Sequence, residues 1–404
     1  MKKLLQINIC SNVLSTGKIC EDIAKVAISN GWESYIGYGR MAKPGVSHEF
    51  RIGSNLETYE HYMEHRLLDR EGLASRYATK RLIQTVKKIK PDIIHLHNIH
   101  DHYLNYPLLF RYLALLDTPV VWTQHDCWAF TGGCMYFDMS DCEQWKSGCL
   151  NCKETRALLG NKAAYQFEKK KALLNNIKNL TFVPVSDWLH GLLKQSVQQS
   201  RPIVTIHNGV DLTRFRPMDR TNNNKLSKFK ILGVAAIWDA RKGLADFVEL
   251  RSKLSEDYEI TLVGLTPKQI SSLPKGIKGI QRTQNVEELV QLYSDTDVFL
   301  NPTYSDNFPT TNIEALACGT PVITYRTGGS PEAIDEKTGI VVEQGDVNGL
   351  AEAIMKLKAS PLSAEDCRKR AEEHFDKNKC FEKYIDLYTH LIGEREKPNN
   401  YVTR

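Results

Sequence analysis

Short apolar runs alternate with helix-like segments along almost the whole chain. Residues 4–9 form an apolar, strand-like run, and apolar side chains then recur at helical spacing between residues 19 and 27. The same pattern predicts further strands in the first half, at residues 92–96, 119–123, 180–185 and 203–206. Strands separated by helices are typical of a parallel sheet with crossover helices. The first half is therefore predicted to be one doubly wound α/β domain.

The alternation restarts after a polar stretch at residues 221–225, which is interpreted as an exposed linker. Strands are then predicted at 229–235, 259–263, 277–281, 297–301, 321–325 and 339–343, and helices at 244–254, 350–358 and 364–392. The expected domains are residues 1–207, a linker at 208–228, a second domain at 229–380, and a C-terminal helix and tail at 381–404 that packs back on the first domain.

Composition indicates an ordinary globular protein, with 42% hydrophobic residues, 25% charged residues and a net charge of +5 over 404 residues. The densest basic run, Lys169-Lys170-Lys171, is interpreted as a solvated helix face, so we expect no nucleic-acid partner. The N-terminus lacks a signal-peptide pattern, and no run approaches the ~18 apolar residues of a membrane span. We expect a cytoplasmic protein whose ten cysteines are reduced thiols or metal ligands.

In each domain a polar turn follows the first predicted strand. These turns lie at residues 15–18 in the first domain and 239–243 in the second. Ligands of open parallel sheets bind outside the carboxyl ends of the strands, where helix N-termini attract phosphate. Two such domains facing each other are expected to form a deep cleft with a phosphate-binding turn on each side.

The segment 301–322 carries the most specific motif. It predicts a strand end, a loop with Asp306, and a short helix that begins near Thr310 and stops at Gly319. The helix N–H groups and the hydroxyls of Thr310 and Thr311 suit a diphosphate, and Glu314 lies one turn further on. The alternative is that Thr310 only caps the helix and Glu314 only favours its dipole.

This segment resembles the acidic-x7-Glu motif of retaining glycosyltransferases with the GT-B fold, the family-4 or group-1 transferases. The subgroup it most resembles makes colanic acid, capsule or O-antigen. The resemblance implies that Asp306 contacts the donor sugar and Glu314 the nucleotide ribose. Asn307 and Pro309 replace two glycines of the family pattern. The implied donor loop comprises Asn307, Phe308, Pro309, Thr310 and Thr311.

Two further matches support the resemblance. Residues 208–217, beginning Asn208-Gly209-Val210-Asp211, resemble the signature at the family's interdomain junction, for which a structural role is expected. Lys242 resembles the lysine that neutralises the donor diphosphate, although Ala236 stands where the family has an arginine. Arg241 is expected to replace that arginine, and Gly17 to approach the diphosphate or acceptor.

In the first half, His125 and Asp126 directly follow a predicted strand and are expected to face the cleft. The resemblance implies that His125 hydrogen-bonds the donor hexose; the alternative is a structural histidine. Core and cleft-lining roles are expected for the histidines at 95, 97, 100 and 102.

Five cysteines lie between residues 127 and 152, and the last four, Cys134, Cys142, Cys149 and Cys152, have the spacing C-x7-C-x6-C-x2-C. The terminal C-x2-C suits a structural zinc, but the other spacings also fit buried thiols packed among aromatic residues. A redox role of the cysteines is the third alternative.

The resemblance implies a hexosyltransferase that uses a UDP- or GDP-sugar and retains the anomeric configuration through front-side attack assisted by the leaving phosphate. No catalytic cofactor is expected, and the acceptor is expected to be a saccharide or lipid-linked saccharide at the inner membrane face. A nucleotide-sugar 2-epimerase, a phosphorylase and a non-catalytic nucleotide-sugar-binding partner are the alternatives.

Overall fold

The computed structural model describes residues 1–150, 152–154, 157–221 and 228–396, and the chain divides into two compact units. Unit 1 comprises Met1–Ile206 together with the chain from Phe381, and unit 2 comprises His207–Cys380. The described residues of the predicted linker therefore belong to unit 2. Residues 222–227 of that linker and residues 397–404 of the predicted tail lie outside the described residues.

The described part of unit 1 contains a six-stranded sheet in the order β3-β2-β1-β4-β5-β6, in which every neighbouring pair is parallel. The strands are β1 Lys3–Ser11, β2 Glu33–Ala42, β3 His48–Arg51, β4 Ile93–Leu96, β5 Val120–Gln124 and β6 Leu180–Pro184. The helices are α1 Leu14–Ser29, α2 Asn55–Leu68, α3 Arg76–Ile89, α4 Tyr106–Leu113, α5 Ala163–Asn175 and α6 Asp187–Gln195. This strand order is that of a Rossmann-like fold.

The structure of unit 1 differs from the sequence-based expectations in its strands and in one turn. The strands β2 and β3 were not predicted, because Gly37 and Gly39 interrupt the apolar alternation of β2. The predicted strand at 203–206 is only an isolated bridge between Ile203 and Phe182. The predicted turn at 15–18 is already the first turn of α1, which begins at Leu14.

Unit 2 repeats the architecture, with a six-stranded parallel sheet in the order β12-β11-β10-β7-β8-β9. Its strands are β7 Phe229–Val234, β8 Tyr258–Val263, β9 Ile277–Ile280, β10 Val298–Asn301, β11 Val322–Tyr325 and β12 Gly339–Val342. Its helices are α7 Leu244–Lys253, α8 Pro267–Ser271, α9 Val286–Ser294, α10 Thr310–Ala317, α11 Val347–Ala359 and α12 Ala364–His374. The fold is therefore α/β with two Rossmann-like domains.

The helix predicted over 364–392 is two helices, α12 and α13 (Lys377–Glu396). The break lies at Phe375, whose carbonyl accepts the N–H of Val210 at 2.8 Å, while Lys377 N–H donates to Val210 O at 3.1 Å. These backbone groups cannot also continue a helix. The segment 208–211 thus has a structural role in unit 2: a Cβ on Gly209 would lie 2.3 Å from Lys377 Cα.

The part of α13 that belongs to unit 1 packs on its sheet through tyrosines. Tyr388 Oη lies 2.6 Å from His95 Nδ1, and Tyr384 Oη lies 2.8 Å from Thr123 Oγ1. His95 also bonds Thr123 through Nε2 at 2.7 Å. His95 is therefore a satisfied core histidine.

Candidate active site

The candidate site of unit 2 lies where the strand order reverses. Strands β7 and β10 are neighbours in the sheet, yet the chain continues from β7 to β8 on one side and from β10 to β11 on the other. Such a switch point leaves a crevice at the carboxyl ends of the two strands, and ligands of α/β sheets bind there. The turn at Ala240–Lys242 follows β7, and the loop with Asp306 follows β10.

Lys242 and Asp306 meet at this crevice. Lys242 Nζ lies 2.5 Å from Asp306 Oδ2, and both side chains are about one-fifth exposed. The second carboxylate oxygen, Oδ1, accepts the N–H of Phe308 at 3.2 Å. A lysine ammonium has three donors, so Lys242 can hold Asp306 and a ligand oxygen at the same time.

Arg241 is bound within its own turn. Its Nε and one terminal nitrogen donate to Asp239 Oδ2 at 3.1 and 2.8 Å, and its N–H donates to Asp239 Oδ1 at 3.0 Å. Its carbonyl accepts the N–H of Tyr304 at 2.7 Å. These contacts fix the turn that presents Lys242. That Arg241 takes the role of the arginine that the family has at the position of Ala236 remains a prediction.

The backbone of Asp306 is held by a glycine pair that the sequence analysis did not single out. Gly329 N–H donates to Asp306 O at 3.2 Å. Gly328 has φ +53°, and a Cβ there would lie 1.9 Å from the same oxygen. Two adjacent glycines shortly after a predicted strand were the available signal for this contact.

Helix α10 begins at Thr310, directly after Pro309. Thr310 is thus the first helical residue and not the cap, and proline has no side-chain acceptor for the N–H groups of the first turn. Glu314 lies one turn into the helix, half-buried, and its Oε2 accepts the hydroxyl of buried Tyr293 at 3.2 Å. The arrangement keeps a positive helix end and an oriented carboxylate beside the Asp306 loop.

The residues between Asp306 and α10 are mostly packed inside unit 2. Asn307, Phe308 and Pro309 are buried. The Phe308 ring lies 5.1 Å from the His207 ring and 5.8 Å from the Phe375 ring, between centroids. Phe308 therefore anchors the loop, while Thr310 and Thr311 are partly exposed.

In unit 1, a chain of hydrogen bonds connects Gln6, His97 and His125. Gln6 Nε2 donates to Cys20 O at 2.9 Å, so its amide oxygen accepts from His97 Nε2 at 3.1 Å. His97 Nδ1 lies 3.0 Å from His125 Nε2. Burial lowers the pKa of His125 to about 4 and lowers the pKa of His97, so both rings are neutral at pH 7. His125 then donates through Nε2, and its Nδ1 is an acceptor.

Asp126, the next residue, is held inside unit 1. It is buried, and its Oδ2 lies 2.8 Å from His100 Nε2 while its Oδ1 accepts the N–H of Trp128 at 2.9 Å. Burial alone would lower the pKa of His100. The neighbouring Asp126 carboxylate more than offsets this effect and raises the pKa of His100 to about 9. This buried ion pair fixes the chain after β5. That Asp126 faces the cleft remains a prediction.

Two further predicted residues of unit 1 are buried. Gly17 lies in the first turn of α1, packed against Cys10, and its carbonyl accepts the N–H of Asn12 at 3.1 Å. Lys170 is only 1% exposed, so the lysine run at 169–171 is not wholly a solvated face. Donor binding by Gly17 remains a prediction.

The four spaced cysteines line one cavity in unit 1, in the segment between β5 and α5.

Comparisons with known proteins agree with this geometry. The model of the family described as "Glycosyl transferases group 1" matches residues 228–360, and that of "Glycosyltransferase Family 4" matches residues 44–214. Together the two matches cover about three-quarters of the chain. The chain therefore belongs to the glycosyltransferases, with a family-4 domain in its first half and a group-1 domain in its second half.

Individual relatives extend over nearly the whole chain. A glycosyl transferase of Escherichia coli (strain K12) that is named for colanic acid biosynthesis is 21% identical over 96% of this chain and 100% of its own length. Sucrose-phosphate synthase of Thermosynechococcus elongatus has a TM-score of 0.75 at 18% identity, covering 98% of this chain and 100% of that one. Anabaena HepE, solved with UDP-glucose, has a TM-score of 0.62 at 15% identity, covering 96% and 100%. These structures establish the GT-B fold.

None of the helices in the described ranges combines the length and the apolar character that crossing a membrane requires.

Proposed function

We propose that this glycosyltransferase moves a hexosyl unit from a UDP- or GDP-sugar to a saccharide or lipid-linked saccharide during surface polysaccharide biosynthesis. The observation that carries the proposal is the contact between Lys242 and Asp306 at the β7–β10 switch point, beside the start of α10. A cation, a carboxylate and a helix N-terminus in one crevice match the diphosphate and hydroxyls of a nucleotide sugar.

Each group has a role in this proposal. Lys242 and the N–H groups at Thr310 and Thr311 hold the diphosphate and stabilise the charge that develops on it as the glycosidic bond breaks. Asp306 accepts a hydroxyl of the hexose while its Oδ2 keeps Lys242 in place. Glu314, oriented by Tyr293, accepts the ribose diol.

His125 is proposed to bind the hexose from unit 1. The hydrogen-bond chain through His97 leaves His125 Nδ1 as an acceptor, which suits a sugar hydroxyl as donor. Because burial lowers the pKa of His125 to about 4, the imidazole is neutral at pH 7 and can accept this hydrogen bond.

Relatives support the donor and the pathway. HepE was solved with UDP-glucose, and the E. coli relative is named for colanic acid, a surface polysaccharide. A capsular polysaccharide glycosyltransferase of Staphylococcus aureus is 26% identical over 47% of this chain. By family resemblance, the acceptor attacks the face that the nucleotide leaves, and the departing phosphate takes the acceptor proton, with retention at the anomeric carbon.

The test is a panel of UDP- and GDP-hexoses with a lipid-linked saccharide extract as acceptor. Release of nucleoside diphosphate that depends on acceptor, with a product of the donor's anomeric configuration by NMR, is the expected result. A free epimer or glycal formed without acceptor identifies an epimerase, and a sugar 1-phosphate formed with inorganic phosphate identifies a phosphorylase. Donor binding without turnover on any acceptor identifies a non-catalytic partner. Each of the three contradicts the proposal.

A further inference from the structure

The segment between β5 and α5 contains little regular structure for its length. Over residues 125–162, its described part has only three-residue 3-10 turns, at Trp128–Phe130, Asp138–Ser140 and Gln144–Lys146. Loops this long are uncommon in compact domains unless something holds them in place. An aromatic cluster is one such element: Phe130 and Phe137 lie against buried Trp145, with ring centroids 5.5 and 5.0 Å away.

A cysteine cluster is the second element. Cys134, Cys142, Cys149 and Cys152 all line a single cavity of about 160 Å³. Cys127 belongs to the same loop and is buried, but it does not line the cavity. Four thiols that are separated by up to 18 positions have thus been gathered round one space, and the fifth thiol has been left out of it.

One of the four thiols already has a partner that suits a metal ligand. Cys149 Sγ accepts the N–H of Gly132 at 3.1 Å. In metal sites, groups outside the ligand set orient the ligands by hydrogen bonding, and a backbone N–H that donates to a ligand sulfur does this.

A buried cation lies near the cluster. Lys170 is 1% exposed, its Nζ donates to Trp128 O at 2.5 Å, and it lies 3.8 Å from the centroid of a Trp128 ring. Trp128 belongs to the same loop as the four cysteines. Four thiolates round a divalent ion carry a net negative charge, which a buried lysine at this position stabilises.

We propose that Cys134, Cys142, Cys149 and Cys152 bind one Zn²⁺ as a closed, tetrahedral, structural site. Four thiolates, two of which come from a C-x2-C pair, are a ligand set typical of structural zinc sites. Among the described residues, no three of these sulfur atoms lie within 4.8 Å of one another. The ion would therefore draw the loop inward, because Zn–S bonds of about 2.3 Å place the four sulfurs closer together than this.

The site would stabilise the chain next to His125. Cys127 N–H donates to Met135 O at 3.0 Å, so the residue after Cys134 is already tied to the end of β5. Metal binding at Cys134 would fix this connection and, with it, the His100–Asp126 ion pair.

The test is metal analysis of the full chain purified under reducing conditions without chelator. We expect about one zinc per chain, loss of zinc in Cys149→Ser/Cys152→Ser, and retention in the matched control Cys127→Ala. Wild-type protein that carries no more zinc than the double variant contradicts the proposal.

A second measurement does not depend on the folding of a variant. Wild-type protein stripped with a chelator and titrated with Co²⁺ should show a thiolate-to-cobalt charge-transfer band and visible bands of tetrahedral cobalt, saturating near one equivalent. Its melting temperature should fall on stripping and recover with Zn²⁺. Absence of the charge-transfer band, or a Cys134–Cys152 disulfide found by mass spectrometry of reduced-purified protein, overturns the proposal.

Discussion

Lys242 and Asp306 are 64 positions apart, yet Lys242 Nζ lies 2.5 Å from Asp306 Oδ2 because β7 and β10 are neighbours in the sheet. Each residue follows the carboxyl end of its own strand. The contact holds a cation at the crevice before any ligand arrives, which reduces the reorganisation that a bound diphosphate would require.

Lys242→Ala should lower kcat by about 10²–10³, because it removes a preorganised positive charge that acts on the departing phosphate. Lys230→Ala, at the opposite end of β7, removes the same charge and serves as the control. Steady-state kinetics with the identified donor measure both. Equal kcat values for Lys242→Ala and Lys230→Ala would show that Lys242 does not act on the leaving group.

Glu314→Ala should raise the donor KM about tenfold and change kcat little, because a ribose contact is the same in the ground and transition states. Tyr293→Phe, which removes the hydrogen bond to Glu314, should raise KM by a smaller factor. Glu352→Ala, an exposed carboxylate on α11, is the control. A fall in kcat at unchanged KM would assign Glu314 another role.

Gly328→Ala should disrupt the Asp306 loop, because the new Cβ would lie 1.9 Å from Asp306 O at a φ of +53°. Donor binding should be lost, and the protein should be destabilised. Gly191→Ala in α6 meets no atom within 4 Å and should stabilise by about 0.5–1 kcal/mol. Thermal unfolding compares the two; an unchanged donor affinity in Gly328→Ala contradicts the account of this loop.

His125 should remain neutral, with Nε2 protonated, from pH 8 down to about pH 5. Its pKa of about 4 is below the unfolded value near 6.5, so its contribution to stability is complete above pH 6.5 and is lost as the pH falls towards 4. Nitrogen-15 NMR of labelled histidine reports the tautomer and the titration. A midpoint near pH 6.5, or protonation at Nδ1, would refute the hydrogen-bond chain from Gln6.

Asp126→Asn should destabilise unit 1 by about 3–5 kcal/mol near pH 6, because it leaves His100 buried without its counter-ion. The pKa of His100 is raised to about 9, so the wild-type advantage is complete below pH 6.5 and declines as the pH rises through 9. The control is Asp22→Asn, in a partly exposed pair with Lys25, which should change stability by less than about 1 kcal/mol. A wild-type advantage that is equal at pH 6 and pH 10 would contradict the ion-pair account.

The sequence predicted the features that depend on residues close together along the chain. Alternation of apolar runs gave the doubly wound fold of both halves, and the acidic-x7-Glu segment placed α10 with Thr310 as its first residue. Contacts between distant residues were not predicted, because they depend on strand order. These include Lys242–Asp306, the pairing of Val210 with Asp376 that ends α12, and the glycine contact at Asp306.

The burial of individual side chains was also not predicted from the sequence. Lys170 belongs to a run of three lysines, and only the packing of α5 against Trp128 shows that it is enclosed. Asp126 likewise follows the same strand as His125, but its partner, His100, comes from the segment after β4. Sequence spacing alone does not separate two neighbouring residues whose side chains point into different surroundings.

Binding of the nucleoside diphosphate at the β7–β10 crevice of unit 2 can be measured by calorimetric titration of UDP and GDP. One nucleotide should bind wild-type protein and Lys230→Ala with equal Kd, and should bind Lys242→Ala and Glu314→Ala at least about tenfold more weakly, since a lost contact costs about 1.4 kcal/mol or more. Equal affinity for all four proteins would place the donor elsewhere and contradict the account.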